Sequence, residues 1–313
     1  MDTQLLEIVW TRRGHEIHRV TASIDHTLNP TLSASLLRSI PYQTIQTHAL
    51  VSGDHLYHIC PDPLLPLATP FSQVDRVAAP VGTVFMSQLQ HLAVKCGPVT
   101  ETLPAAPVGR VFDTDLEKLP EVADVVWEAM QTDTPVLVEV RSLGSLESPS
   151  FFRRPPLVED PDVQALLNSL HQDLRNLAVT PPEDQWRLHH WGASSGAGSR
   201  NTYMTTLIFV NGETRPMGYA SLGALARASQ PGSLLDLTTL RDMARDLLGT
   251  TSEFLGYCGM ERLLEFIREA IRLLDLMSRE EFHLVMLWLT SYVNCLNAWN
   301  LQLFPWAEAE GLA

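Results

Sequence analysis

The sequence predicts an α+β chain, a β-barrel half followed by an all-α half, on three observations. Thirteen of the 21 prolines lie before Arg154, eight of them between Pro61 and Pro107, where they would interrupt any helix. Short strand-like runs bounded by turn residues occupy that same half. Beyond the Ser142–Pro156 linker the apolar residues recur instead at spacings of three and four. Residues 1–154 are therefore expected to form a closed or nearly closed β-structure with two helices, and residues 155–313 a helical bundle.

Leu5–Trp10 and His18–Ile24 read as a first strand pair. A short helix follows over Asn29–Ser39, with Pro30 at a favoured first-turn position behind Asn29. Thr44–Val51 and His55–Cys60 flank Ser52-Gly53-Asp54, which is a hairpin signal. Val84–Cys96 reads as one long extended stretch and Val136–Arg141 as a late strand. Between them, Leu119, Val122, Val126, Trp127 and Met130 mark a helix over Leu116–Gln131. In the second half, Asp160-Pro161 caps a helix that runs to about Leu177, and Asp236–Leu248, Met260–Leu276 and Arg279–Leu301 repeat its pattern. Tyr203–Val210 reads as helix or strand, and no internal repeat is visible.

Composition narrows the function. With 22 basic against 36 acidic residues the formal charge is -14, which disfavours a nucleic-acid partner. Only Lys95 and Lys118 are lysines, leaving few candidates for a Schiff base. The start carries Asp2 and Glu7 and no basic cluster ahead of an apolar run, so a cytoplasmic protein is expected, and no apolar run reaches membrane-spanning length. Cys60, Cys96, Cys258 and Cys295 lie far apart without a C-x-x-C pair, as buried reduced thiols do. Exposed helix faces in the second half admit a homodimer.

Several motifs carry two readings. Gly192-Ala193-Ser194-Ser195-Gly196 matches G-x-S-x-G but lacks the strand-to-helix setting of a nucleophile elbow, and reads as a loop. Eleven histidines invite a metal, yet no H-E-x-x-H occurs and His55 and His58 point to opposite faces of a strand, so no metal or cofactor is expected. On Val84–Cys96, Leu92, Val94 and Cys96 alternate with His91, Ala93 and Lys95; if the first set faces the core, the second faces a cleft. Lys95 is then either a snorkelling surface residue or an anion holder. Glu139 and Arg141 share a face, either as an ion pair or as a general base beside a carboxylate anchor, and Glu101 after Gly97-Pro98 has the same two readings.

Ile40-Pro41, then the run from Gln46 to His58 (QTHALVSGDHLYH), then Pro80 to Lys95 (PVGTVFMSQLQHLAVK), then Gly97 to Glu101 (GPVTE) and Leu103 to Val111 (LPAAPVGRV) resemble the cyclophilin-like domain of the cucumopine and mikimopine synthases. The later helical half, including Asn211-Gly212-Glu213-Thr214-Arg215-Pro216, is also similar to that family's C-terminal domain, so the resemblance covers most of the chain.

The resemblance implies a cyclophilin-like barrel with a helical bundle, and a Pictet–Spengler cyclase. Such enzymes condense an amino acid's amine with a carbonyl compound, histidine with 2-oxoglutarate or a tryptophan-type amine with an aldehyde, and close a fused tetrahydropyridine ring without a cofactor. Small-molecule amine and carbonyl substrates are thus the expected partners. The chemistry needs an acid for the departing carbinolamine hydroxyl, a base for the aromatic proton and donors for a carboxylate. His48, His91, Glu101 and Glu139 are the acid/base candidates, and Lys95 and Arg141 the carboxylate holders. Tyr57, Phe85, Met86 and Trp191 are available as flat apolar walls, though most aromatics in such a chain are core. The alternatives are a binding or regulatory module without catalysis, and a peptidyl-prolyl isomerase, whose characteristic arginine and Phe-x-x-x-Gln run are not found.

Overall fold

A computed structural model describes residues 4–62, 73–87, 89–132, 134–149, 152–191 and 202–306. The chain divides into two units: the first takes in residues up to Arg153 and again from Pro305, the second is Arg154–Phe304.

In the first unit the strands are β1 (Gln4–Arg12), β2 (His15–Ile24), β3 (Tyr42–Ile45), β4 (Thr47–His48), β5 (Gly53–Ile59), β6 (Val74–Asp75), β7 (Thr83–Met86), β8 (His91–Val99), β9 (Pro104–Val111) and β10 (Val136–Ser142). They pair antiparallel in the order β3-β10-β1-β2-β9-β7-β8-β5-β4, with β6 added on β9. The two ends of this order are consecutive in the chain, so the sheet nearly closes on itself.

One residue bridges the seam. Gln46, 1% exposed, lies between β3 and β4. Its backbone N–H donates to Val136 O on β10 (2.9 Å), and its side-chain amide donates to Tyr57 O on β5 (2.8 Å). Those bonds fix the amide's orientation, so its Oε1 faces inward and accepts from Trp10 Nε1 at 2.9 Å. The same oxygen lies 3.3 Å from His58 Nδ1, which must therefore carry the proton, leaving Nε2 to accept from the Tyr42 hydroxyl at 2.9 Å.

Strand alternation fills the interior with Leu6, Ile8, Trp10, Val20, Ala22, Leu56, Val84, Met86, Leu92, Val94 and Val138. Two helices, α1 (Pro30–Ser39) and α2 (Lys118–Met130), add Leu32 and Leu36, and Leu119, Val122 and Val126, to the same core. The expected single strand over Val84–Cys96 is in fact two, β7 and β8, paired antiparallel. Ser87 and Gln90 make the reversal: Gln90 takes a left-handed backbone (φ 63°), its N–H donates to Ser87 O, and Ser87 N–H donates to His91 O.

Burial also sets an acid sensitivity. His55 and His58 are held neutral, their pKa values lowered to about 3, in both cases chiefly by desolvation. The folded state thus binds fewer protons than the unfolded one, so stability is complete above the ordinary histidine value near 6.5 and declines as pH falls from there toward 3. Each group contributes up to about 1.4 kcal/mol per pH unit. The melting temperature is expected to drop between pH 6.5 and 5, before carboxylates titrate, and less steeply in His58→Asn; a flat profile across that window would contradict this account.

The second unit consists of α3 (Pro161–Leu177), α4 (Glu183–Trp191), α5 (Thr202–Pro216), α6 (Gly223–Ala228), α7 (Leu237–Tyr257), α8 (Glu261–Leu273) and α9 (Arg279–Leu303), with a π-helical turn, Met217–Leu222, joining α5 to α6. The segment left open between helix and strand at Tyr203–Val210 is helical, and the helix begun at Leu237 continues well past Leu248. Asp160 caps α3, accepting from Asp162 and Val163 N–H, and Ser278 with Glu281 forms a reciprocal capping box on α9. Glu281 Oε1 also accepts Glu159 N–H (3.1 Å) and Asp160 N–H (3.0 Å), tying the starts of α3 and α9 together. Helix α9 is buried on nearly every side and packs against α3, α5 and α6. At Gly218 an added Cβ would lie 2.6 Å from Asn294 Oδ1, so the Asn294 amide would have to shift for any larger residue to sit where the π turn meets α9. Among the described residues no helix is long and apolar enough to cross a membrane.

Candidate functional site

The pleat that sends Leu56, Val84, Leu92 and Val94 inward places His55, Tyr57, Phe85, His91, Ala93 and Lys95 on the opposite face of β5, β7 and β8, as alternation predicts. There Tyr57 stacks on His91, ring centroids 4.4 Å apart at 28°. The His55 ring lies 6.0 Å from both Tyr57 and Phe85. Its Nδ1 is buried without a hydrogen-bond partner, and because burial keeps it neutral it offers a ring nitrogen but no charge.

The turn after β6 adds a cation to this face. Arg76, 8% exposed, sits with its guanidinium carbon 5.5 Å from the Phe85 ring centroid, and its Nη1 is 3.8 Å from Glu101 Oε2. Its Nε is buried and unpartnered. Burial lowers its pKa from the usual guanidinium value against the opposing pull of Glu101. Glu101 leaves the end of β8 on a connection stitched to the same turn, since Arg76 N–H donates to Leu103 O and β6 pairs with β9 through Val74 and Ala105. A half-exposed carboxylate, a buried guanidinium and an aromatic wall thus share one face. Such a set can hold a flat substrate with a carboxylate and move a proton beside it.

Comparison with known proteins bears on this geometry. The model of the cucumopine synthase C-terminal helical bundle domain matches residues 163–303. No curated protein sequence matches the chain. A solved structure, McbB in complex with tryptophan, superposes with a TM-score of 0.90 at 39% identity, covering 98% of this chain and 99% of that one. The chain belongs to the cucumopine synthase family. Its near-closed antiparallel barrel followed by a helical bundle is the fold shared with McbB.

Within this member of the cucumopine synthase family the sequence candidates separate. His91, Tyr57 and Phe85 share the face just described, and Glu101 reaches it through Arg76, 3.8 Å away. His48 does not join them: its Nδ1 bonds Ala49 O at 2.7 Å, its ring meets Trp127 edge-on at 5.4 Å, and it lines another cavity of about 630 Å³ with Asp54, Thr100 and Asp124. Met86 points the other way from Phe85 and is fully buried in the barrel core, which corrects its placement as a substrate wall. Trp191 is the last residue of α4, and its side chain, like the Gly192–Gly196 loop, lies outside the described residues.

Lys95 is corrected too. It is 5% exposed, and its Nζ donates to Arg76 O (2.9 Å), Val77 O (2.9 Å) and Ala79 O (2.7 Å). An ammonium has three N–H donors, so none is left for a substrate carboxylate. The lysine instead fastens the turn that presents Arg76. Glu139 and Arg141 are likewise drawn away, into an ion-pair chain across β10, β1 and β2. Arg141 bonds Glu139 Oε1 (3.1 Å) and Glu7 Oε2 (2.9 Å), Arg19 bonds Glu7 Oε1 (2.9 Å), and Arg19 also bonds Glu16. Burial pulls the Glu7 carboxyl upward, but the hydrogen bonds from the two arginines outweigh it and hold the pKa below the ordinary value. Glu139→Ala and Arg141→Ala are therefore expected to change kcat/KM less than about twofold, because neither removes a group from the Arg76–Glu101 face. A loss above about tenfold in either variant would return them to the site.

Arg76 and His55 were not among the sequence candidates. Arg76 lies in a proline-rich stretch without a periodic signal, whereas His55 shares its strand face with Tyr57 at the spacing of two that strand periodicity marks. Among the described residues no three His, Cys, Asp or Glu side chains are grouped to hold a metal ion.

Proposed function

We propose that this protein is a Pictet–Spengler cyclase that joins a tryptophan-type amino acid to an aldehyde or 2-oxo acid in secondary metabolism, giving a β-carboline-like tetrahydropyridine without a cofactor. The observation that carries the reading is the Arg76–Glu101 pair set against Tyr57, His91 and Phe85 on one strand face. Membership of the cucumopine synthase family and the likeness to McbB, solved with tryptophan, support a Pictet–Spengler-type cyclase.

The amine adds to the carbonyl to give a carbinolamine, whose hydroxyl leaves as water once protonated. The iminium carbon then takes the electron pair of the aromatic ring, a carbon–carbon bond forms, and the ring carbon loses its proton. One proton enters and one leaves, so a single carboxyl group can serve as acid first and base second. In this reading Glu101, beside Arg76, is that carboxyl group. Arg76 is the cation that would hold the amino acid's carboxylate in this reading. Tyr57 and Phe85 flank the aromatic ring and the cation formed from it, and His91, stacked on Tyr57, orients that wall.

The test is mass spectrometry of the purified, EDTA-dialysed protein with tryptophan- or histidine-type amines crossed against small aldehydes and 2-oxoglutarate. A product weighing the two reactants less one water, inert to borohydride, is expected. An adduct that borohydride traps would reduce the activity to imine formation, and no adduct across the panel would favour a binding module.

A further inference from the structure

The cavity that His48 lines lies wholly within the first unit, where α2 rests on β4, β5 and β8. At about 630 Å³ it has the size of a small-ligand site. Leu50, Val51, Pro98, Pro120, Ala123 and Trp127 give it an apolar lining, in which Trp127 is 40% and Val51 88% exposed. Large apolar side chains left open around one hollow, rather than scattered singly, mark a place where something binds.

The polar lining is not answered by protein. Asp54 and Asp124 pair with no basic side chain among the described residues, and no lysine or arginine lines the cavity. Asp54 folds over Gly97, where an added Cβ would meet its Oδ2 at 2.6 Å. The two carboxylates act on one spot: burial first, and the charges of Asp54 and Asp124 in addition, push the Cys96 thiol up to about 12.

His48 supplies a third group. The residue is 8% exposed, and its Nδ1 lies 2.7 Å from Ala49 O, a carbonyl that can only accept, so the ring proton sits on Nδ1. Nε2 of the neutral ring is then an acceptor. It bonds none of the described residues, yet it is not sealed in protein as His55 Nδ1 is. It opens instead on the cavity, beside the Trp127 indole that meets the imidazole edge-on at 5.4 Å.

We infer that this cavity is a second ligand site, separate from the Arg76–Glu101 face, and that it takes an aromatic ammonium ion with a ring N–H and no carboxylate, as a decarboxylated indolic amine has. The ammonium lies between Asp54 and Asp124, the ring lies against Trp127, and the ring N–H donates to His48 Nε2. An amino acid's carboxylate would meet two aspartates and no cation here, so the zwitterion proposed for the Arg76 face is rejected. The inference does not depend on the cyclase reading.

The probe is tryptamine, titrated to about 10 mM against the intact protein and followed by NMR through the ligand's own signals, with a Kd of about 1 mM or lower expected. Tryptophol keeps the indole without the charge and should bind at least about tenfold more weakly. 1-Methyltryptamine keeps the charge without the ring N–H and should bind at least about threefold more weakly. Asp54→Asn combined with Asp124→Asn should weaken tryptamine binding about tenfold, as should Trp127→Ala. All three residues are exposed, so these variants should fold even if a change at His48 does not. In His48→Phe, tryptamine and 1-methyltryptamine should bind alike. Glu101→Gln should leave tryptamine affinity within about twofold, which separates this site from the catalytic face. Absent binding, binding indifferent to the paired aspartate change or to Trp127→Ala, tryptophol or 1-methyltryptamine as tight as tryptamine, a gap between the two amines that persists in His48→Phe, or loss in Glu101→Gln would each overturn the assignment.

Discussion

Glu101→Gln is expected to lower kcat for ring closure by about 10²–10⁴-fold, the range for loss of a positioned general acid or base. The amide keeps the shape and the hydrogen-bonding reach toward Arg76, but it neither delivers a proton to the carbinolamine hydroxyl nor accepts one from the ring carbon. Folding should be little affected, because the pair is long at 3.8 Å and Glu101 is half-exposed, and such contacts are worth at most about 1 kcal/mol. A melting temperature within about 3 °C of the natural protein's, together with a collapsed single-turnover rate, is the expected pair of results. A rate within threefold of normal would remove Glu101 from the chemistry and leave His91 as the remaining titratable candidate on that face.

Lys95→Met should be the most damaging single change in the barrel for stability and activity together. The substitution keeps most of the stem but strands the carbonyls of Arg76, Val77 and Ala79, each now bonded to the ammonium at 2.7–2.9 Å. Charge-assisted bonds of this kind contribute more than neutral ones, and the turn can recover only part of them from water. A loss of about 2–4 kcal/mol is expected, seen as a fall of roughly 5–15 °C in melting temperature. Catalysis should drop at least about tenfold alongside, because Arg76 loses its fixed position over Phe85. Lys95→Arg should rescue poorly, since a planar guanidinium cannot reach three carbonyls arranged around one point. If Lys95 instead held the substrate's carboxylate, KM would rise with the melting temperature unchanged, which is the opposite signature.

These two residues also show where the sequence is informative and where it is not. The change of periodicity after the linker, the proline-rich first half and the alternation on Val84–Cys96 sufficed for the two-part architecture and for which side of β8 faces away from the core. They missed the reversal between β7 and β8 because it uses Ser87 and Gln90, neither of them the glycine or proline that punctuates a turn. Strand β9 was hidden by Pro104 and Pro107; Pro107 is paired with Phe85 next to a register shift, where a missing N–H is tolerated. Strand parity sufficed to put His91, Tyr57 and Phe85 on the side of the sheet away from the core. The roles of Lys95, Glu139 and Arg141 were not legible, because their partners lie on segments distant in sequence: the turn after β6 in one case, β1 and β2 in the other.

The seam at Gln46 bears on how the chain behaves when crowded. An open antiparallel sheet ends in two strands whose unpaired N–H and C=O groups invite a neighbouring molecule to add a strand, the usual first step toward aggregation. Here the would-be edges, β3 and β4, are held beside β10 and β5 by one residue whose backbone reaches Val136 and whose side chain reaches Tyr57. Gln46 thereby ties the two ends of the sheet together across the gap, and a change there that cost little in melting temperature would still be read in solubility, as light scattering that grows with protein concentration.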